Sequence, residues 1–514
     1  MTKMKTVVFL ISTLLIAGCT SLPKNYTKIP STSFKDHKST GIGKMFEKEA
    51  AKHPGKSGFD IIRYGRQGFT GRIAMTEMAE KSLDLQYYVW EPDATGRLLA
   101  FHVLKAADRG VKVRVLLDDI GLEGRDTMIA SLDAHPNIEI RIFNPFSDRT
   151  FHGLNFLYDF DRVNHRMHNK TFLMDNSLVI IGGRNIGNHY FGVDDHMNFR
   201  DLDIFAAGPV VREVSDVYDY FWNGEWSVPI KALVDKTYTQ EDMKNARALL
   251  SQNIAKEDYP YPLTSDVNKI RSQMKRIRNN LVWGTGKFVW DDPKQMKLSR
   301  DQQQGTMLDK LHKKGTNLKT SLTIESPYFI AGKGGTAVLK GLVEKGVKVR
   351  VLTNSQSSND VSAAFAGYEV YRKELVEGGV EMHELRPDAG GNKIINQETD
   401  LAKVHSGLHA KAMVFDAESV FIGSFNLDPR SASINTEGGL YVESPKLAKR
   451  VLDYMSEGTK PENSYRVFLD KNGDVAWKEV TDGKQKIYHT EPHTDAWDRF
   501  KVDFIQALPI EKQL

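Results

Sequence analysis

Apolar and polar positions along this chain repeat one order of elements twice. Gly71 to Lys81 has the period of a helix, and LDLQYYVW (Leu83 to Trp90) reads as a strand. Leu98 to Arg109 is again apolar at helical spacing and is stopped by Gly110, and VKVRVLLDD (Val111 to Asp119) is a second strand. Strand, helix, strand predicts a βαβ unit in a parallel sheet. The order returns with LTIESPYFI (Leu322 to Ile330), a helix over Thr336 to Lys345, and VKVRVLTNS (Val347 to Ser355).

The heptapeptide GVKVRVL stands at both Gly110 to Leu116 and Gly346 to Leu352, an offset of 236 residues. A generic strand heptad alone is weak evidence. A second, chemically richer motif recurs at nearly the same offset, and two motifs in register imply an internal duplication. The expected layout is a signal segment over 1–18, a polar tether over 19–58, a first domain over 59–230 and a helical connector or insertion over 231–300. A second domain over 301–460 and an extension over 461–514 follow. Asn472-Gly473 between β-like runs in that extension predicts a hairpin.

The richer motif is RMHNKTFLMD, with His168, Lys170 and Asp175, repeated as GLHAKAMVFD, with His409, Lys411 and Asp416. Residues two apart on a strand face the same way, so each His and Lys share a face and form the candidate catalytic group. Each Asp is seven residues from its His, an odd count that turns it away. Asp175 and Asp416, though part of the triplet, therefore read as structural, bonding backbone behind the site. Gly182-Gly183-Arg184-Asn185 and Gly423-Ser424-Phe425-Asn426 follow; the glycines let backbone approach closely, and Asn185 and Asn426 can donate to an anionic oxygen. Asp201 and Glu437 each lie eight residues before a proline, Pro209 and Pro445. A carboxylate against a histidine ring fixes its tautomer and supports its charged form. Tyr87, Tyr88 and Tyr328 at the strand ends suit either a pocket wall or core.

HxK(x)4D(x)6G[GS]xN twice in one chain resembles the phospholipase D superfamily, over roughly Phe59 to Glu457. Within it, QYYVWEPD, RMHNKTF, GGRNIGNHYF and the ending LPIEKQL resemble bacterial cardiolipin synthases, closest to the C type. The first copy departs by having Gly183 where the commoner pattern has the serine seen at Ser424, which weakens a hydroxyl contact in that half. The resemblance implies an α/β fold: two homologous α/β/α sandwich domains packed pseudo-symmetrically, with the active site at their interface. It implies phosphatidyl transfer through a phosphohistidine, with His168 as nucleophile, His409 as acid and base, and Lys170, Lys411, Asn185 and Asn426 around the phosphate. No cofactor or metal is expected. The substrates would be phospholipids, phosphatidylglycerol first and phosphatidylethanolamine as another donor. Rival readings are a phospholipase D that uses water, a nuclease-type phosphodiesterase, and a catalytically dead lipid-binding lipoprotein.

Composition adds little beyond this: 40% hydrophobic and 26% charged residues suit a globular protein, and a net charge of +4 over 514 residues is not a nucleic-acid footprint. The N-terminus adds more. Lys3 and Lys5 precede an apolar run, Val7 to Ala17, too short to span a bilayer but suited to a secretory signal. The run meets Gly18 and Cys19, the single cysteine, in a pattern resembling a bacterial lipobox. The expectation is a lipid-anchored protein on the periplasmic side of the inner or the outer membrane. Cys19→Ser should then leave the chain unlipidated and uncleaved; an unchanged mature mass with a free Cys19 thiol in the wild type would refute it.

Overall fold

The computed structural model describes residues 22–257, 259–395, 404–481 and 483–508; the lipobox reading at Cys19 and the tail beyond residue 508 lie outside them. Each half is built on a sheet whose middle is parallel. In the first half Ser82–Tyr87, Lys112–Asp118 and Ile138–Phe143 run parallel. Thr171–Met174, Leu178–Gly182, Asp203–Ala207 and Ser57–Ile62 continue from Ser82–Tyr87 as an antiparallel series. In the second half Ser321–Glu325, Lys348–Asn354 and Glu381–Leu385 are the parallel trio, and Ala412–Phe415, Ser419–Gly423 and Gly438–Glu443 the antiparallel series. The expected helices and strands are present with ends shifted by a few residues: the first helix is Gly65–Met78, and the strands expected over Leu83 to Trp90 and Leu322 to Ile330 stop at Tyr87 and Glu325.

Side chains alternate across these strands as their period demands. Leu178 and Ile180 belong to an outer core with the helices Gly65–Met78 and Ala94–Asp108. Val179 and Ile181 belong to an inner core shared by both halves. The helices Pro209–Asn223 and Pro445–Gly458 supply Val214, Phe221, Val451 and Tyr454 to that inner core. Met413 and Phe415 face a third core, outside the second sheet.

Two expectations about organisation need correction. The polar stretch after residue 19 is not a free tether where it is described: Lys28 donates to the Gly224 carbonyl at 2.6 Å, Ser33 bonds Asp219 through backbone and hydroxyl, and Gly41–Ala50 is a helix. Its serines are polar because their partners are polar side chains of the first half. The connector over 231–300 has the helices Gln240–Ile254 and Val267–Asn280, but also the strand Val282–Trp290. That strand pairs with Ser57–Ile62 through residues 282–284 and with Gly438–Glu443 through residues 285–290, so both sheets join into one, of 18 strands among the described residues. The hairpin at Asn472-Gly473 is present, between Ser464–Leu469 and Val475–Thr481, but it extends the second sheet by pairing with Glu381–Leu385.

Candidate active site

Backbone pairing across the two halves assembles the site. His168 N donates to the Thr436 carbonyl and Thr436 N to the Arg166 carbonyl, both at 2.9 Å. On the other side Met197–Arg200 and His405–Leu408 form a parallel pair, and His409 N donates to the Arg200 carbonyl at 2.8 Å. The residue after each pairing position is a carboxylate: Glu437 follows Thr436 and Asp201 follows Arg200. Each carboxylate therefore lies under the histidine of the opposite half. Glu437 Oε1 and Oε2 lie 3.0 and 2.9 Å from His168 Nδ1, and Asp201 Oδ2 lies 2.7 Å from His409 Nδ1. In both dyads Nδ1–H can donate to the carboxylate, which leaves Nε2 as the reactive nitrogen.

Each lysine spends one of its three N–H groups on the carbonyl of its own histidine, Lys170 at 2.5 Å and Lys411 at 2.7 Å. The whole set is buried, with 7% of His168 and 5% of His409 exposed. Burial pushes the Lys411 ammonium down to about 8 and holds Lys170 well below the usual lysine range, against the pull of Glu437. Burial, then the two lysines, hold His168 far below the usual imidazole value. Burial and Lys411 push His409 down to about 4, against the pull of Asp201.

The two carboxylates differ. Burial lifts Glu437 to about 7, although Lys170, Ser424 and Ser431 pull the other way. Burial also acts on Asp201, but His409, Arg184 and Lys411 outweigh it and hold the carboxyl at about 2. The two settings are also built differently. Ser424 and Ser431 donate their hydroxyls to Glu437, Ser431 at 2.8 Å. In the first half Gly183 replaces the serine, and a Cβ there would come within 2.5 Å of Asp201 Oδ1. Asp201 instead accepts from the Leu202 backbone at 2.7 Å.

Asp175 and Asp416, grouped with the catalytic triplets by sequence, do not reach the site. Asp175 accepts from the backbone N–H groups of Glu80, Lys81 and Ser82, and Asp416 from those of Lys319, Thr320 and Ser321. Both start hairpin turns at positive φ (51°), so their role is to tie each motif strand to the start of the neighbouring parallel strand. Asn185 is engaged at both ends, accepting from Val89 N at 3.2 Å and donating to the Tyr190 hydroxyl at 3.0 Å. Asn426 Oδ1 has no partner among the described residues, so the second asparagine is the less committed one. Tyr88 lies edge-on to His168 with centroids 4.9 Å apart, while Tyr87 is core and its hydroxyl accepts from Arg72 at 2.9 Å. The Tyr328 hydroxyl bonds Asp360. His165 Nδ1 donates to the Ile434 carbonyl at 2.6 Å.

Sequence reasoning missed Ser431, Tyr190, Phe199 and Asp291. Tyr190 and Phe199 face the His409 ring at 5.1 and 5.2 Å, and Asp291 accepts from Glu437 N at 3.1 Å. Tyr190 lies within the GGRNIGNHYF stretch. Phe199 and Asp291 carry no local signal, because their partners are distant in the chain, and Ser431, close to Glu437 in sequence, falls outside the repeated motif.

The crossing has a direct test. Asp201→Asn should shift the imidazole ¹⁵N resonances of His409, in the other half, and leave those of His168 nearly in place; Glu437→Gln should do the reverse. Shifts confined to the histidine of the mutated half would contradict the crossed dyads.

Comparison with known proteins agrees with this architecture. The family model described as "Cardiolipin synthase, PLD-like domain" matches residues 73–222 and 315–458, one segment per half and together more than half of the chain. The chain is 36% identical to "Cardiolipin synthase C" of Escherichia coli (strain K12) over 90% of this chain and 97% of that protein. It is 33% identical to an uncharacterized protein of Helicobacter pylori (strain ATCC 700392 / 26695) over 99% of this chain and 100% of that one. The fold resembles the crystal structure of phosphatidylserine synthase from Haemophilus influenzae Rd KW20, with a TM-score of 0.56 and 13% identity over 91% of this chain and 100% of that one. The chain belongs to the PLD-like domain family of the cardiolipin synthases, with one copy of the domain in each half.

Proposed function

We propose that this chain is a phosphatidyltransferase that makes cardiolipin, moving the phosphatidyl group of one phospholipid onto a hydroxyl of phosphatidylglycerol. The observation that carries it is the pair of histidines with crossed carboxylates and a lysine beside each, in a chain alike to a cardiolipin synthase over nearly its whole length. In the first step His168 Nε2 attacks phosphorus, the P–O bond to the headgroup alcohol breaks, and His409 gives that oxygen its proton. In the second step the phosphatidylglycerol hydroxyl gives its proton to His409 and attacks phosphorus, and the P–N bond breaks. The anionic phosphodiester favours the charged form of His409 while it is bound. Lys170 and Lys411 balance charge on the phosphoryl oxygens.

The difference between the carboxylates supports this division of work. Asp201 stays ionised through the neutral range and suits the histidine that carries a proton. Burial and the two lysines keep the His168 ring neutral, which suits the nucleophile. A membrane substrate is supported by exposed apolar side chains at two places. One is the helix Ala496–Gln506, where Trp497, Phe500 and Phe504 stack on the solvent side with centroids 5.4 and 6.5 Å apart. The other is the segment before the first motif, where Phe151 and Leu157 are exposed. No helix among the described residues is long and apolar enough to cross a membrane.

Purified protein added to phosphatidylglycerol vesicles should form cardiolipin faster than phosphatidic acid, because a site this buried disfavours water as acceptor. Phosphatidic acid as the main product at every lipid density would make the protein a phospholipase instead. The pH profile tests the nucleophile. Nε2 is free to attack when Glu437 is ionised and holds Nδ1–H, and Glu437 loses its proton near pH 7. The kcat/KM should therefore rise with pH through about 7, as a free-enzyme ionisation. Glu437→Gln should remove that limb and lower the rate by roughly 10²- to 10⁴-fold. A wild-type profile flat between pH 6 and 8 would contradict the assignment.

A further inference from the structure

The two halves differ most on the outer face of their sheets. In the first half the part of that face behind the motif strand is filled: Phe69 and Ile73 of the helix Gly65–Met78 pack on Leu83, Leu85, Phe172 and Met174 in one core. Arg184, just before Asn185, and Arg72 lie fully buried beside it on Asp203, at 3.2 and 3.0 Å. In the second half the corresponding strand residues, Leu322, Ile324, Met413 and Phe415, line a cavity of about 630 Å³. That is within the range of about 300–1,000 Å³ usual for small-molecule sites.

The cause of the opening can be read from the chain. The helix that corresponds to Gly65–Met78 is Met307–Gly315, with 9 residues against 14. Phe425 stands where the first half has Arg184, so no ionic cluster forms there. The helix Gly332–Glu344 enters with Gly334 and Gly335, whose missing side chains leave the cavity's wall thin; a Cβ at 334 would meet nothing within 4 Å. Leu308 and Val338 line the cavity and are partly exposed, which makes an apolar mouth, and Arg300 also lines it.

The cavity is continuous with the catalytic loop. Phe425 and Leu427, the neighbours of Asn426, line it from one side, and so does Asp428. Asp428 is close enough to the site for its charge to act on Lys411. The Asn426 loop thus has the two histidines on one side and an apolar void on the other.

We propose that this cavity holds one fatty-acyl chain of the phospholipid whose phosphate lies between His168 and His409. The inference rests on the phosphatidyltransferase reading. It gives the two halves different tasks: behind its motif strand the first half is closed and ionic, its own apolar space of about 300 Å³ lying over Val115, Leu117, Ile138 and Ile140, and the second half grips the lipid tail. Each methylene taken from water into such a space strengthens binding by about fourfold, so chain length becomes part of recognition.

Gly334→Leu and Gly335→Leu put a side chain into the wall of the cavity at helical positions that favour leucine over glycine. Turnover is compared with dioleoyl phosphatidylglycerol and with dihexanoyl phosphatidylglycerol, whose chains are too short to fill the space. The filled variants should lose at least tenfold in kcat/KM on the dioleoyl lipid and stay within about twofold of wild type on the dihexanoyl lipid. Equal loss on both, or no loss on either, overturns the proposal. A second measurement needs neither turnover nor a variant. Phosphatidylglycerol with a diazirine on its acyl chain should label the wild type within Met307–Gly315 or Gly332–Glu344, in competition with unlabelled lipid. Labelling elsewhere, or none, also overturns it. Labelling at the cavity in a protein that transfers no phosphatidyl group would instead retain the acyl site and reject the proposed reaction.

Discussion

Lys170, Lys411, Asp201 and Glu437 are buried together, and charges inside a protein are tolerable only when paired and hydrogen-bonded. The pairs are not made within a half. Glu437 reaches His168 and Asp201 reaches His409 only because the strand segments ahead of them bond across the seam. The seam in turn has its own buried ion pair, Arg200 with Glu325 at 3.1 Å, and the guanidinium lies 3.7 Å over the Tyr454 ring. The inner core, drawn from both halves, excludes water from all of it. Docking of the halves and assembly of the site are one event.

The duplication was plain in the sequence because both of its signals are local: an identical heptapeptide and a His–Lys–Asp triplet at fixed spacing. The strands and helices followed from periodicity, and the odd spacing of Asp175 and Asp416 placed them behind the site. Alignment on Pro209 and Pro445 found Asp201 and Glu437 but not their partners, because the contacts span 208 and 269 residues. The strand Val282–Trp290 was hidden for a different reason. Its Gly286 makes room for the Phe59 ring, whose Cζ would lie 2.4 Å from an added Cβ, so the segment lacks the apolar alternation of a strand. The N-terminal stretch looked like a tether because its serines bond polar side chains.

Two copies of one motif have not stayed equivalent. The first half has Gly183 in place of a hydroxyl, and His409, Arg184 and Lys411 keep its carboxylate ionised; in the second, burial lifts Glu437 to about 7 although Ser424 and Ser431 donate to it. A symmetric pair would have no preference between attacking and protonating. Differences in burial and in the charges around each carboxylate suit the proposed separation of tasks, since one pKa unit corresponds to about 1.4 kcal/mol between protonation states.

The strand Val282–Trp290 also bears on how the chain is made. It leaves the ribosome before any strand of the second parallel trio, and well before Gly438–Glu443, its main partner. Once it has paired with Ser57–Ile62, the finished first half carries a protruding edge with unsatisfied N–H and C=O groups. That edge is a template waiting for the rest of the polypeptide. Pairing of Gly438–Glu443 with that edge sets the register of the second sheet on the first. Until Gly438–Glu443 pairs with it, the same edge is open to pairing with a neighbouring chain.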